Sequence, residues 1–251
     1  MKNLHSQWRK DYEAPFAGWD FAYLNDRWIE EQPPWNYEAL ARQLLKKSKA
    51  VLDMGTGGGE IFASFAPFPE HTVAIEGWRP NVAIAKRRLE PLGVRILEVD
   101  ESDELSFADG EFDLVLNRHS AFRATEVFRI LKTEGTFLTQ QVGGGGNLSN
   151  LIKEFNATPQ YKDWTLSTIT KQIRDAGFSI KKAEEWTGKV EFKDVGAIVY
   201  FLKAIPWVIQ DFRVDSNLHH LEGLQSKIDR GERLIFTQVR FLVWASKFGE
   251  D

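Results

Sequence analysis

Residues 51–60 run VLDMGTGGGE: an apolar stretch meets an acid, Asp53, and glycine then fills four of the six positions after Met54 (Gly55, Gly57, Gly58 and Gly59). Glycine adopts backbone conformations closed to other residues and lets a ligand come close to the main chain. A strand that ends in an acid and opens into such a turn before a helix is a device for holding a nucleotide-like cofactor. Two ligand classes make different demands on it. A dinucleotide site needs G-x-G-x-x-G with a pyrophosphate seated on the helix N-terminus. Counted from Gly55 and Gly57, its third glycine falls on Glu60, a carboxylate that repels a pyrophosphate and suits a cationic, phosphate-free ligand. The dinucleotide reading loses.

The elements that position this turn alternate along the chain. Asn36 is placed to cap a helix through Tyr37, Leu40 and Leu44, which leads into the strand AVLDMG. HTVAIEG is a second strand, followed by the helix PNVAIAKRRLEPLG with Pro80 at its start and Gly93 at its stop. VRILEVD and FDLVLNRHS are the third and fourth strands. A helix carrying Ala124, Val127, Phe128 and Leu131 precedes the fifth, GTFLTQQVG. Strands separated by helices predict a doubly wound, mostly parallel α/β sheet covered on both faces. Two more strands, FSIKKAEEW and TQVRFLVWASK, bring the predicted total to seven, with a helical insertion over 188–233 between them. One domain is expected over 1–251. It divides into an N-terminal extension and first helix (1–47), a cofactor-binding half (48–145) and a substrate half (146–251).

At this point the chain resembles the class I S-adenosylmethionine-dependent methyltransferases, within the methyltransferase-11-like subgroup that includes many small-molecule enzymes. Val51, Leu52, Asp53, Gly55, Gly57 and Gly59 match the family's first motif. The similarity continues through SFADGEFDLVLNRHS and EVFRILKTEGTFL to about residue 140, departing at Thr133-Glu134 where the family usually turns on Pro-Gly. The resemblance implies S-adenosylmethionine as cofactor, S-adenosylhomocysteine as product and no metal. It places Glu76 on the ribose hydroxyls, where one carboxylate accepts from two donors, and Asp100 on the adenine amino group. Thr56, Gly77, Trp78, Glu101 and Asn117 complete the implied cofactor contacts.

Methyl transfer from a sulfonium is an in-line displacement in which the protein chiefly aligns the nucleophile. A base is needed only where the acceptor must lose a proton. His119, in the loop Asn117–Ser120 at the carboxyl rim of the sheet, is the candidate catalytic residue, as a base or by orienting a substrate. Trp78 either covers the adenine or closes the core, and Glu60 either approaches the methionine part of the cofactor or favours the first helical turn. Gln140 and Gln141 lie near the same rim. Lys86, Arg87 and Arg88 are expected on a solvated face. The N-terminal aromatics (Trp8, Tyr12, Trp19, Phe21, Tyr23, Trp28) and the insertion are expected to build the substrate pocket, with the apolar helix from Val195 to Trp207 buried or facing a cleft.

The net charge of −4 offers no general attraction for a polyanion. A small-molecule acceptor is therefore favoured over ribosomal or transfer RNA. A cofactor-binding regulatory or assembly protein without turnover is the alternative from another class. The absence of cysteine removes disulfides, thiolate metal sites and thiol nucleophiles. The stretch MKNLHSQWRKDYE lacks a signal-peptide core, and no apolar run is long enough to span a bilayer. A soluble cytoplasmic protein with no membrane partner is the expectation. Nothing in the residues fixes the oligomeric state.

Overall fold

A computed structural model of the chain describes residues 2–99 and 104–248. In chain order the first elements are α1 (Lys2–Glu13), β1 (Trp28–Glu30), α2 (Tyr37–Leu45), β2 (Ala50–Met54), α3 (Glu60–Ala63), β3 (His71–Glu76), α4 (Arg79–Leu89) and β4 (Arg95–Glu98). Then come β5 (Phe112–Arg118), α5 (Ala124–Ile130), β6 (Leu131–Val142), α6 (Ser149–Glu154) and α7 (Leu166–Asp175). The last are β7 (Phe178–Phe192), α8 (Val195–Ala204), α9 (Leu218–Asp229) and β8 (Leu234–Lys247). The strands form one sheet in the order β1-β7-β8-β6-β5-β2-β3-β4. β4, β3, β2, β5 and β6 are parallel to one another, and β8, β7 and β1 add antiparallel pairings. The mostly parallel α/β sheet is thus as expected, with eight strands in place of seven. The extra strand is β1, whose Trp28, Ile29 and Glu30 pair with Phe192, Glu191 and Val190 of β7.

β2 is buried at every position because it lies inside the sheet with helices on both faces. On one face Val51, Leu114, Leu116, Leu138 and Leu242 pack under Trp35, Tyr37, Ala41, Val82 and Leu89. On the other, Leu52, Val115, Phe137, Phe241 and Val243 pack under Val127, Ile130, Ile169 and Ile173 of α5 and α7. Each large apolar side chain so buried contributes about 1.5–3 kcal/mol.

A third core forms beyond the rim of the parallel strands. β6 ends at Val142, opposite Arg240, so β8 residues 234–239 and their β7 partners overhang that rim. β7 continues to Phe192, which leaves residues 193–233 for the helical insertion. On this overhang α8 and α9 meet the N-terminal segment. Trp8, Leu24, Phe192, Val199, Tyr200, Leu202, Leu221 and Phe236 share one buried cluster. α8 is buried almost throughout, which is why its sequence is apolar on all sides. Asp194 caps it, its Oδ1 accepting from the Ala197 N–H at 2.8 Å. Arg27 ties the two segments together by donating to Asp194 at 2.5 Å and to the fully buried Asp11 at 2.9 Å.

Candidate active site

After Met54 the chain turns through Gly55, Gly57 and Gly59, at φ of +70°, +63° and +79°. Those values lie in the left-handed region that side chains rarely adopt. Close approach adds a second reason for glycine. A Cβ on Gly55 would stand 2.3 Å from Cβ of Ser120, and one on Gly57 would stand 2.5 Å from Cδ1 of Trp19. The turn is therefore flanked by the loop after β5 on one side and by the N-terminal segment on the other. Trp19 also meets Trp207 of the insertion edge-on at 5.8 Å, so the two segments expected to dress the pocket come together above the glycines.

Glu76, at the end of β3, is 8% exposed. Its Oε2 accepts from the Gly57 N–H at 2.6 Å and its Oε1 from the Trp78 N–H at 2.8 Å. An ionised carboxylate offers about four acceptor positions, so both oxygens keep capacity for a diol. Burial raises the Glu76 pKa, and the backbone N–H groups oppose that shift. Asp53 is buried as well, and burial pushes its pKa up to about 7. Thr56 and Arg118 oppose this rise while the neighbouring Glu76 adds to it. The buried Thr56 hydroxyl makes no well-formed hydrogen bond with the described residues and acts on Asp53 through proximity. Gly77 runs close to the Val99 carbonyl, and Trp78 is 49% exposed, so its indole does not close the core. Asp100 and Glu101 lie outside the described residues.

Glu60 is held by Arg88, which donates to its carboxylate and to the Gly58 carbonyl. Lys86, Arg87 and Arg88 are all exposed, as expected of the basic run, and Arg88 in addition clamps the glycine turn. Glu60 is engaged by the protein at the same time.

The carboxyl ends of β5 and β6 carry a buried polar network. Asn117 is fully buried. Its Oδ1 accepts from Thr139 at 2.8 Å and from Gln141, and its Nδ2 lies 3.5 Å from the Met54 carbonyl. Its side chain is thus engaged inside the protein, where it braces the rim. Gln141 also donates to the Ser120 carbonyl at 3.0 Å and accepts from the Trp164 indole at 3.2 Å. His119 has φ of +62° and is exposed to solvent. It is nonetheless ringed by protein at longer range, and this desolvation, followed by Arg118 and Arg240, holds its pKa well below the usual histidine value. Gln140 contacts both His119 and Trp35.

Sequence reasoning missed Arg240 and Trp35. Arg240 alternates with Leu242 and Trp244 on β8, and a lone cation on that apolar face was the available signal. Trp35 lies in the Pro-rich stretch before α2, which carries no periodicity. A surface hollow of about 730 Å³ beside α7, lined among others by Gly143, Thr165, Thr170, Arg174, Glu185 and Thr187, shares no residue with the glycine turn. Among the described residues, no group of three or more His, Cys, Asp or Glu is placed to hold a metal ion. No described helix is long and apolar enough to cross a membrane.

Residues 52–139 match the family model described as a methyltransferase domain. The protein-L-isoaspartate O-methyltransferase of Alcanivorax borkumensis is 30% identical over 116 residues, which are 44% of this chain and 52% of that protein. The chain thus spans about half the length of the curated relative it matches. Among solved structures, a Bacillus halodurans protein described as a methyltransferase aligns with a TM-score of 0.61 at 21% identity, over 85% of this chain and 99% of that one. The phosphoethanolamine N-methyltransferase 2 of Haemonchus contortus, in complex with S-adenosyl-L-methionine, aligns with a TM-score of 0.54 at 18% identity, over 99% of this chain and 58% of that one. At these identities the structural likenesses establish the fold.

Proposed function

We propose, from the premise that residues 52–139 are a class I methyltransferase domain, that the whole chain is an S-adenosylmethionine-dependent methyltransferase acting on a small-molecule acceptor. The observation that carries this reading is the pairing of the Gly55–Gly59 turn with Glu76. The Glu76 carboxylate fixes the backbone of Gly57 and of Trp78 while keeping acceptor capacity for a ribose diol. The left-handed glycines let Ser120 and Trp19 pack against the turn itself, and the exposed Trp78 indole offers a flat apolar face beside it. The residues present fit S-adenosylmethionine. Gly55, Thr56, Gly57 and Gly59 would line its methionine and ribose parts, Glu76 its ribose and Gly77–Trp78 its base, with Asp100 and Glu101 beyond the end of β4. Asp53 stands behind the turn, where a buried carboxyl favours a cationic ligand. The bound cofactor supplies an activated methyl group.

The chain's own residues do the rest. The cap of α1, α8 and α9 stands over the rim and brings Trp19 and Trp207 to the mouth of the site, so that apolar rings border the space beside the glycine turn. Such a wall suits a small apolar or aromatic acceptor, and the net charge of −4 gives a nucleic acid no general attraction. Ser120 and His119 form the opposite wall, with Asn117, Thr139 and Gln141 bracing it from beneath.

Calorimetric titration with S-adenosylmethionine and, separately, S-adenosylhomocysteine tests the reading. Saturable binding of both is the expected result. Binding of neither would demote the glycines to a structural turn and remove the enzyme with it.

A further inference from the structure

The indole N–H of Trp35 donates to Oε1 of Gln140 at 2.7 Å, in a buried position. An indole nitrogen is a donor and nothing else. Gln140 must therefore turn its carbonyl oxygen to Trp35 and its NH2 group the other way. The orientation of a side-chain amide is usually a matter of assignment, and here the indole decides it. The Gln140 NH2 nitrogen lies 3.1 Å from Nε2 of His119. An amide nitrogen donates, so Nε2 is the acceptor. A neutral imidazole that accepts on Nε2 carries its proton on Nδ1.

This arrangement changes what His119 can do. Its one lone pair already takes the Gln140 proton, and its other nitrogen already holds a proton. It is a donor through Nδ1 and is unsuited to be a base. The charges around it agree. Arg118 on β5 and Arg240 on β8 both face it and oppose a second proton. Arg118 also lies near enough to the buried Asp53 carboxyl to oppose the rise of its pKa. Arg240 donates to Asn147 at 2.9 Å and to the Val239 carbonyl at 3.1 Å, while its nearest carboxylate, Glu30, is 3.9 Å away. Around His119 the structure therefore gathers an N–H donor and two guanidinium groups, with Asp53 and Glu30 as the acids that face those cations.

We infer that the Trp35–Gln140 relay locks His119 as its neutral Nδ1–H form, and that this N–H, beside the Arg118 guanidinium, binds a carboxylate on the methyl acceptor. The inference names the substrate class for the function proposed above and rests on that reading. The aromatic wall of Trp19 and Trp207 on the other side of the glycine turn suits an acceptor with an aryl or similarly flat apolar body.

The test is long-range ¹H–¹⁵N correlation spectroscopy of the five imidazoles in the S-adenosylhomocysteine-saturated protein, with His119→Asn to assign the signals. His119 is expected to show a protonated Nδ1 and a bare Nε2 from about pH 5.5 to about 8, where ordinary histidines titrate. Gln140→Glu keeps an acceptor for Trp35 but replaces the donor to His119 by an acceptor. It should move the proton to Nε2. Trp35→Phe should loosen the lock, and either variant suffices if the other fails to fold. Sodium benzoate should then shift the Nδ1 resonance saturably, benzylammonium should leave it unmoved, and Arg118→Gln should weaken benzoate binding about tenfold, as loss of a charged hydrogen-bond partner does. An Nε2–H form, an imidazolium, or an Nδ1 signal indifferent to benzoate would overturn the inference. Failure of S-adenosylhomocysteine to bind would instead strike the methyltransferase reading, since the tautomer is also readable in the protein without ligand.

Discussion

Replacement of Asp53 by Asn should give a protein that is more stable at neutral pH and binds its cofactor less well. Asp53 is 8% exposed at the end of a central strand, and burial raises its pKa to about 7. A carboxyl whose folded-state pKa lies above its unfolded one holds its proton more tightly when folded. Its stabilising contribution is complete below about pH 4 and is lost as pH rises through about 7. A shift of about three units corresponds to about 4 kcal/mol. The ligand-free wild-type chain should therefore lose up to that amount between those limits through this one group.

The neutral amide of Asp53→Asn has nothing to titrate, so its stability should shift relative to wild type by up to about 4 kcal/mol in its favour across the same window. The neighbouring Glu76, whose pKa is also raised, gives both proteins a slope of the same sign, and the difference between them isolates Asp53. Urea unfolding of both proteins without ligand, at intervals from about pH 4 to about 8, measures this difference. Calorimetry should find S-adenosylmethionine affinity reduced by about 1–3 kcal/mol in the variant, the scale of losing a charged partner. Parallel stability curves for the two proteins would refute the reasoning, because Asp53 would then be ionised at no cost in the folded chain.

Three further substitutions test the frame around that residue. Glu76→Ala frees the backbone N–H groups of Gly57 and Trp78 and should weaken S-adenosylhomocysteine binding by about 1–3 kcal/mol in calorimetry. Gly57→Ala must adopt φ of +63° and displace the Trp19 ring. It should lower stability by at least about 1–2 kcal/mol in chemical unfolding, with a change in tryptophan fluorescence. Arg27→Ala leaves Asp11 buried without its cation and should destabilise by about 3–5 kcal/mol in chemical unfolding, whereas Asp11→Asn should lose less because Arg27 keeps Asp194.

What the sequence made legible was whatever depends on neighbours along the chain. The alternation of strands and helices from Ala50 to Val142 and the glycine turn are local signals. The acid at Glu76 sits on a strand end that period and punctuation define. β1 was not legible, because three residues in a stretch of aromatics and charges have no period of their own. Trp28–Glu30 becomes a strand only because β7 runs past the rim and offers an edge at Val190–Phe192. The extension of β7 was hidden in the same way, since Gly188 interrupts its apolar alternation.

The polar cluster around His119 was harder to see because no two of its decisive partners are adjacent in sequence. Trp35, Arg118, Gln140 and Arg240 come from a pre-helix loop and three strands, and sheet register alone sets Arg118 opposite Gln140 and Arg240 opposite Val142. Sequence could offer His119 as a titratable residue at the right rim. It could not say which nitrogen carries the proton, because that follows from an indole more than eighty residues upstream acting through one amide. Residue type therefore suggested a base or a group that orients a substrate, and the bonding chain favours the second. Asn117 makes a similar point: its type suggests ligand recognition, and only the structure reveals the hydroxyl and amide across the β5–β6 pairing that hold its side chain. Because a carboxylate-binding donor needs Nε2 occupied, a screen of acceptors should begin with flat apolar acids, and the wild type should discriminate their carboxylates from the corresponding primary amides while Gln140→Glu should not.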